Sequence, residues 1–402
     1  MFVRLRATEL LDSQLRASMP PIGWVRSVDE SAREVRRPIL FGEELTTKRQ
    51  FVLASRSAAG DRLHFRVRES CFDVLHERYH QGLVPSIEMR LPFNYSTLPH
   101  WLLNIGRRLR AKALTSRCDI PFPDFPDAMP IVDWYRQLAE WSGLKAIPSM
   151  RWPAHHRAAV VVTHDVDSGW ILSNRKWIKR ICRDEREFGI RGAWYTVPMK
   201  SRTQQAENGL RWLRDQGCEL GCHGFNHDAK LPLKLGTNEF HRRWSAICRF
   251  CDQWRIRGFR SEWLFRSSVF LAQLAKRFDY DTSVPSASQH LTAKTGNGCG
   301  SAVPYRADGG ILELPISLPL DTDCRGQGLD LKGFWQRQVD RAQRIAQQGG
   351  LIVVTIHPQP HLSARSEVWP TIAQALEQIT NIRGLWITRP IELAQWFFQC
   401  ES

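Results

Sequence analysis

The stretch Ala158-Ala159-Val160-Val161-Val162-Thr163-His164-Asp165-Val166-Asp167 starts as an uncharged run rich in β-branched residues and ends in His164, Asp165 and Asp167. Its first part, Ala158–Thr163, reads as a β-strand. Beyond it, short apolar runs alternate with longer helical patterns. Strands are predicted at Gly192–Val197, Cys218–Cys222, Ile256–Phe259, Tyr280–Val284, Ile311–Ile316, Leu351–Ile356 and Leu385–Thr388. Helices are predicted between and after them, at Trp170–Glu187, Ala206–Gln216, Asn238–Trp254, Ser267–Arg277, Leu331–Gln347, Pro370–Gln378 and Ile391–Gln399. Strands alternating with helices of this length indicate βαβ units and a parallel sheet. Roughly seven or eight such units predict closure, so the expected fold class is α/β, a distorted (β/α)7-8 barrel.

Upstream of Pro153 the pattern is irregular. Arg49–Ser55 and Arg62–Glu69, joined by a turn at Ala58-Ala59-Gly60-Asp61, read as a β-hairpin. Helices are predicted near Pro99–Leu114 and Ile131–Trp141, separated by the Pro-rich piece 121–126. The expected organisation is a smaller mixed α+β N-terminal accessory region over 1–150 and a barrel domain over 151–402.

Composition narrows the class. Hydrophobic residues make up 43% of the 402 and aromatics 10%, enough for a sizeable core. No apolar run approaches the roughly 20 residues of a membrane span, and the charged N-terminus lacks the apolar core of a secretory signal. A cytoplasmic location is the expectation. The ten cysteines form no disulfide framework, and Cys248-x-x-Cys251 has no second pair to complete a zinc site, so both read as ordinary thiols. The net charge of +15 suits an anionic glycan, nucleic acid or an anionic membrane. No nucleic-acid motif accompanies it, and nucleic acid is not the expected partner. Trp101–Arg117 mixes apolar residues with arginines, as a basic helix lying on an anionic membrane would, although packing on its own domain is the plainer reading.

Chemistry concentrates where strands end, which is where parallel barrels build their sites. After the first strand come Asp165 and Asp167. After the third come His223-Gly224-Phe225-Asn226-His227. The fourth ends in Arg260, the fifth carries Asp279-Tyr280-Asp281, and Leu351–Ile356 runs into His357. Two histidines at i and i+4 plus one carboxylate make a three-ligand site with an open position, the arrangement of catalytic zinc. Such an ion lowers the pKa of bound water from near 16 to about 7. A second carboxylate can take the water proton, and an imidazole across the site can protonate a leaving group.

In this order the motifs resemble those of the polysaccharide deacetylases, carbohydrate esterase family four, also called NodB-homology proteins. The resemblance covers about Ala158 to Thr388. It implies a metal-dependent hydrolase that removes N- or O-acetyl groups from a carbohydrate. It further implies that Asp165 is the base, that Asp167, His223 and His227 hold a divalent metal (Zn²⁺ first), and that Arg260 steadies the base. His357 is the implied acid, and Asp281 orients it, with Asp279 as the alternative. Val166 separates two aspartates that are adjacent in the family, a spacing that keeps both on one side of a strand. Gly224 replaces the family's Ser or Thr. Ser261-Glu262-Trp263 replaces the proline motif after the arginine, which makes Glu262 and Trp263 candidate substrate contacts. Competing readings are hydrolysis of a cyclic amide or ureide on the same barrel, and a non-catalytic glycan- or nucleic-acid-binding protein.

Overall fold

A computed structural model of the chain describes residues 3–7, 37–44, 50–57, 60–63, 75–77, 89, 152–286, 298–326 and 330–401. Four strands, β1 (Val3–Ala7), β2 (Arg37–Glu44), β3 (Gln50–Ser57) and β4 (Gly60–Leu63), form an antiparallel sheet in that order. β3 and β4 are the expected hairpin, with Ser57 opposite Gly60. The predicted helices at Pro99–Leu114 and Ile131–Trp141, the basic stretch Trp101–Arg117 and residues 287–297 lie outside the described residues.

The rest is the curled sheet that the alternating pattern predicts. Its strands are β5 (Ala158–Val166), β6 (Ala193–Thr196), β7 (Glu219–Cys222), β8 (Gly258–Phe259), β9 (Tyr280–Asp281), β10 (Tyr305–Arg306), β11 (Leu312–Glu313), β12 (Leu351–Ile356) and β13 (Leu385–Ile387). They lie in the order β10-β11-β9-β8-β7-β6-β5-β12, all parallel except β10, with β13 paired to the start of β5. Between β11 and β12 there is no strand pairing among the described residues. Single bonds span the gap, from Val353 N–H to Ser317 Oγ at 2.8 Å and from Leu351 N–H to the Ala302 carbonyl at 2.7 Å. The barrel is therefore distorted and incompletely closed.

Eight helices among the described residues wrap the sheet: α1 (Trp170–Ser173), α2 (Arg175–Glu187), α3 (Gln204–Asp215), α4 (Asn238–Trp254), α5 (Ser268–Leu274), α6 (Leu331–Gln347), α7 (Trp369–Thr380) and α8 (Pro390–Glu401). The single helix predicted over Trp170–Glu187 is split in two. Asn174 leaves helical geometry and its side chain accepts from Trp177 N–H, capping α2. Thr203, Thr237, Ser267 and Asp330 cap α3, α4, α5 and α6 in the same way. In α6 the apolar stripe Phe334, Trp335, Val339, Ala342 and Ile345 is buried, as its spacing predicts. No helix among the described residues is long and apolar enough to cross a membrane.

Strand parity positions everything that follows. Successive side chains point to opposite faces of a sheet. Ala158, Val160, Val162 and Val166 pack outward in the core beneath the helices, whereas Ala159 and Val161 join Ala193, Tyr195, Tyr280, Leu312, Leu351 and Val353 inside the barrel. Thr163 and Asp165 share the inward parity. His164 has the outward one: it stacks on Trp194 at 4.1 Å and pairs with buried Glu185 at 2.7 Å. The interior is crowded enough that a Cβ on Gly258 would lie 2.0 Å from the Tyr280 ring.

Candidate active site

Four strands deliver inward-facing side chains to one end of the barrel. Asp165 is the eighth residue of β5, and Asp167 follows it at the same parity. His223 comes after β7, Arg260 after β8 and His357 after β12. The structure brings all of these together, along with His227 from the loop after His223.

Asp167 Oδ1 lies 3.0 Å from His227 Nε2 and 3.4 Å from His223 Nε2. One ligand atom from each of the three residues lies within 4.8 Å of the others. A tetrahedral ion with N and O ligands at about 2.1 Å would hold those atoms about 3.4 Å apart, so the spacing fits. Asp167 Oδ1 is buried and makes no hydrogen bond. His223 Nδ1 sits 3.0 Å from the Arg260 carbonyl. A carbonyl only accepts, so Nδ1 carries a proton, which leaves Nε2, turned toward Asp167 and His227, as the nitrogen that could ligate an ion. The donor set and its support suit a divalent cation.

Charges reinforce this. Burial opposes ionisation of Asp167, but the His227 and His223 imidazoles outweigh it and hold the carboxyl well below its usual range. Burial likewise penalises Asp165, yet Arg260, then His223 and His357, keep it below the usual value. Arg260 is fully buried and held by four hydrogen bonds. Its Nη1 donates to Asp165 Oδ1 at 2.7 Å and Thr163 Oγ1 at 2.9 Å, its Nε to the Thr282 carbonyl at 3.0 Å, and its Nη2 to Thr282 Oγ1 at 3.1 Å. The guanidinium carbon sits 4.6 Å from the centre of the Tyr195 ring. The second Asp165 oxygen is 3.8 Å from His357 Nε2, beyond direct hydrogen bonding, so the two groups face the same space.

The residue behind His357 is Asp321, which corrects the expectation of Asp281 or Asp279. His357 Nδ1 donates to Asp321 Oδ1 at 2.6 Å, His357 N–H to Asp321 Oδ2 at 2.8 Å, and Ser363 Oγ donates to the same Oδ2. Burial would lower the His357 pKa, but the Asp321 carboxylate overrides it and raises the value to about 10. Asp281 falls outside the barrel by parity: its neighbour Tyr280 takes the inward position, and Asp281 bonds Ser283 and lies in register with Glu313. Burial, the largest influence on both acids, raises each, and Glu313 lies well above its ordinary range with Asp281 adding to the rise. Asp279 pairs with Arg257 at the exposed start of β9.

Glu262 is corrected as well. It does not face a substrate groove. Its Oε1 accepts from Phe225 N–H at 2.7 Å and His227 N–H at 2.6 Å, and its Oε2 accepts from Ala229 N–H. The buried carboxylate is thus the scaffold of the loop that carries both histidines. Gly224 follows from this arrangement, because at φ +68° a Cβ would lie 2.4 Å from the Glu262 carboxyl. Trp263 is half-buried and stands edge-on to His227, with ring centres 6.3 Å apart.

Sequence reasoning missed Asp321, Glu262 as a scaffold, and Lys200. Asp321 begins a short 3-10 turn, Asp321–Gly326, after the predicted Ile311–Ile316 strand, and the clue was an acidic residue in that loop. Lys200 is half-buried; burial lowers its pKa against the opposing carboxylates of Asp167, Glu262 and Asp228. Ser168 Oγ donates to Gln359 Oε1 at 2.7 Å and so ties the loop after Asp167 to the loop after His357.

By sequence, no known family pattern and no curated protein matches this chain. Similarity emerges from the fold. A putative polysaccharide deacetylase from Mycobacterium smegmatis superposes with a TM-score of 0.50 at 17% identity, covering 63% of this chain and 95% of that one. A probable polysaccharide deacetylase from Pseudomonas aeruginosa PAO1 gives 0.50 at 13%, covering 66% and 98%. Puue Allantoinase gives 0.50 at 14%, covering 63% and 95%. At such identities the likeness speaks to architecture: this chain carries the carbohydrate esterase family four, or NodB-like, fold of the polysaccharide deacetylases.

Proposed function

We propose that this protein is a metal-dependent hydrolase that removes an N- or O-acetyl group from a carbohydrate. The observation that supports it most is the convergence of the buried Asp165 carboxyl and the His357 imidazole, 3.8 Å apart, beside three ligand atoms of metal-site spacing. A divalent ion held by Asp167, His223 and His227, with Zn²⁺ the first candidate, would supply a Lewis acid that acidifies water and polarises an acyl oxygen.

The chain's own residues do the proton work. Asp165 takes the proton from the attacking water, and Arg260 keeps it an anion until then. His357 carries a proton on Nε2, pointed at the same space, and gives it to the departing nitrogen or oxygen. Asp321 accepts from the ring's other nitrogen, Nδ1, and stabilises its cationic form. Trp263, edge-on to His227, offers an apolar face to a sugar ring at the site's margin.

The test measures metal content in purified protein, then acetate release from N- and O-acetylated oligosaccharides with and without chelator. Stoichiometric metal and chelator-sensitive acetate release are expected; metal-free protein that releases acetate at full rate removes the reading. A second reading, hydrolysis of a cyclic amide or ureide, draws on the fold shared with Puue Allantoinase. Turnover of such compounds with no acetate release from any saccharide would favour it.

A further inference from the structure

The region before residue 150 reaches the barrel at two described points, 75–77 and Met89; the first touches Arg266 as well as Gly298, Tyr305 and Asp308, and the second packs on the turn and loop at Phe265 and Ala229. At 75–77 the buried side chain of Glu77 forms a two-pronged ion pair with buried Arg266: Arg266 Nε donates to Glu77 Oε2 at 2.7 Å, and Nη2 donates to Oε1. Glu77 Oε1 also accepts from Gly298 N–H at 3.0 Å. The third donor of Arg266, Nη1, holds the Leu264 carbonyl at 2.7 Å. Met89 packs on Ala229 and Phe265, with Trp263 and Leu233 against the same cluster.

What Arg266 grips is a strained turn. Trp263 and Leu264 are consecutive non-glycine residues in the left-handed region, at φ 57° and 54°. Side chains resist that conformation, and such residues persist only where their surroundings over-determine them. The turn carries Glu262, whose carboxylate is the anchor for the Phe225, His227 and Ala229 N–H groups. His227 and Ala229 are themselves left-handed, at φ 63° and 54°. The chain of support therefore runs from Glu77 through Arg266 and the Leu264 carbonyl to Glu262, and from there to the backbone of His227. None of these groups needs a ligand to explain it. Together they make the placement of one imidazole depend on a residue about 150 positions upstream.

We infer that Glu77 is a positioning residue for the metal site, and that the N-terminal region is a working part of the hydrolase unit. The inference rests on the reading that Asp167, His223 and His227 bind a divalent ion. Without Glu77, Arg266 would be a buried guanidinium that keeps one of the three hydrogen bonds above, and the turn it holds would relax toward ordinary backbone angles, carrying Glu262 with it.

The experiment uses the full chain, stripped of metal. Zn²⁺ affinity is measured by competition with a chromophoric chelator, and the Co²⁺-loaded protein is examined by visible absorption. Wild type that fails to bind Zn²⁺ sinks the metal-site reading itself. Given binding, Glu77→Gln is expected to weaken Zn²⁺ affinity by about tenfold and shift the Co²⁺ bands, with the far-UV circular dichroism unchanged. A folded E77Q with wild-type Zn²⁺ affinity and Co²⁺ spectrum overturns the inference. Asp308→Asn serves as comparison, since Asp308 bonds His76, the neighbour of Glu77, at 3.0 Å. An equal loss in that variant would mean general loosening, which also overturns the inference. If E77Q does not fold, Glu77→Asp keeps the charge and shortens the reach, and a folded E77D indistinguishable from wild type in both readouts is decisive against it.

Discussion

Asp165 and His357 are neighbours whose environments push them to opposite states, a base kept ionised and an acid kept protonated. Replacing Asp165 with Asn removes the proton acceptor but none of the three metal ligands. Zn²⁺ affinity should stay close to wild type while the acetate-release rate falls by roughly 10²–10⁴-fold; full activity in that variant would strip Asp165 of its role. For His357 the sign follows from Asp321. The carboxylate raises the pKa to about 10 in the metal-free protein, against burial, which acts to lower it. The group's contribution to stability is thus present in full below about 6.5, the ordinary histidine value, and is lost as pH rises through about 10. Asp321→Asn leaves burial without its counterweight. The His357 resonance should titrate at lower pH by NMR, and the alkaline limb of kcat/KM should move down with it. A limb that stays in place would show that Asp321 does not tune the acid.

Among elements, the loop from His223 to Ala229 and the turn Ser261–Phe265 act as one unit, joined by three backbone N–H groups on a single carboxylate. Gly224 is the position where this unit admits no alternative, combining a left-handed φ with a Cβ path blocked by Glu262. Gly224→Ala should cost about 1–3 kcal/mol in backbone strain alone, with the collision added to it. That corresponds to a Tm loss of roughly 5 °C or more and a Zn²⁺ affinity lowered by about tenfold or more. A thermal melt and a chelator titration check both, and an unchanged pair of values would mean the loop is free to move away from Glu262. Strand ends contribute differently. Four of them, β5, β7, β8 and β12, aim Asp165, Asp167, His223, Arg260 and His357 inward through the period-two parity of the strands.

For the whole molecule, a ligand that binds only the folded barrel must stabilise it by mass action. Zn²⁺ at a hundredfold excess over its dissociation constant should add about 2.7 kcal/mol, visible as a higher Tm. Asp167→Asn should lose most of that increment, because it removes one of three ligands while leaving the core untouched. A variant that keeps the full shift would place the ion elsewhere. The incompletely closed barrel also bears on the site. The gap between β11 and β12 is where the chain leaves the sheet to form the Asp321–Gly326 turn, and that departure brings Asp321 beneath His357.

Much of this was legible in the residues themselves. The alternation of apolar runs and helical patterns dictates a parallel sheet, and period-two parity along Ala158–Asp167 aligns Asp165 with Asp167, because both properties are local and repeat along the chain. The i, i+4 histidines and the strand-end arginine are readable for the same reason. Parity also held the answer about Asp281, one step out of phase with Tyr280, but only the packed sheet shows which face is the interior. Asp321, Glu262 and Glu77 were beyond reach of the sequence. Each acts on a partner at least 33 positions away in the chain, through a buried hydrogen bond or ion pair whose geometry exists only once distant segments have packed together.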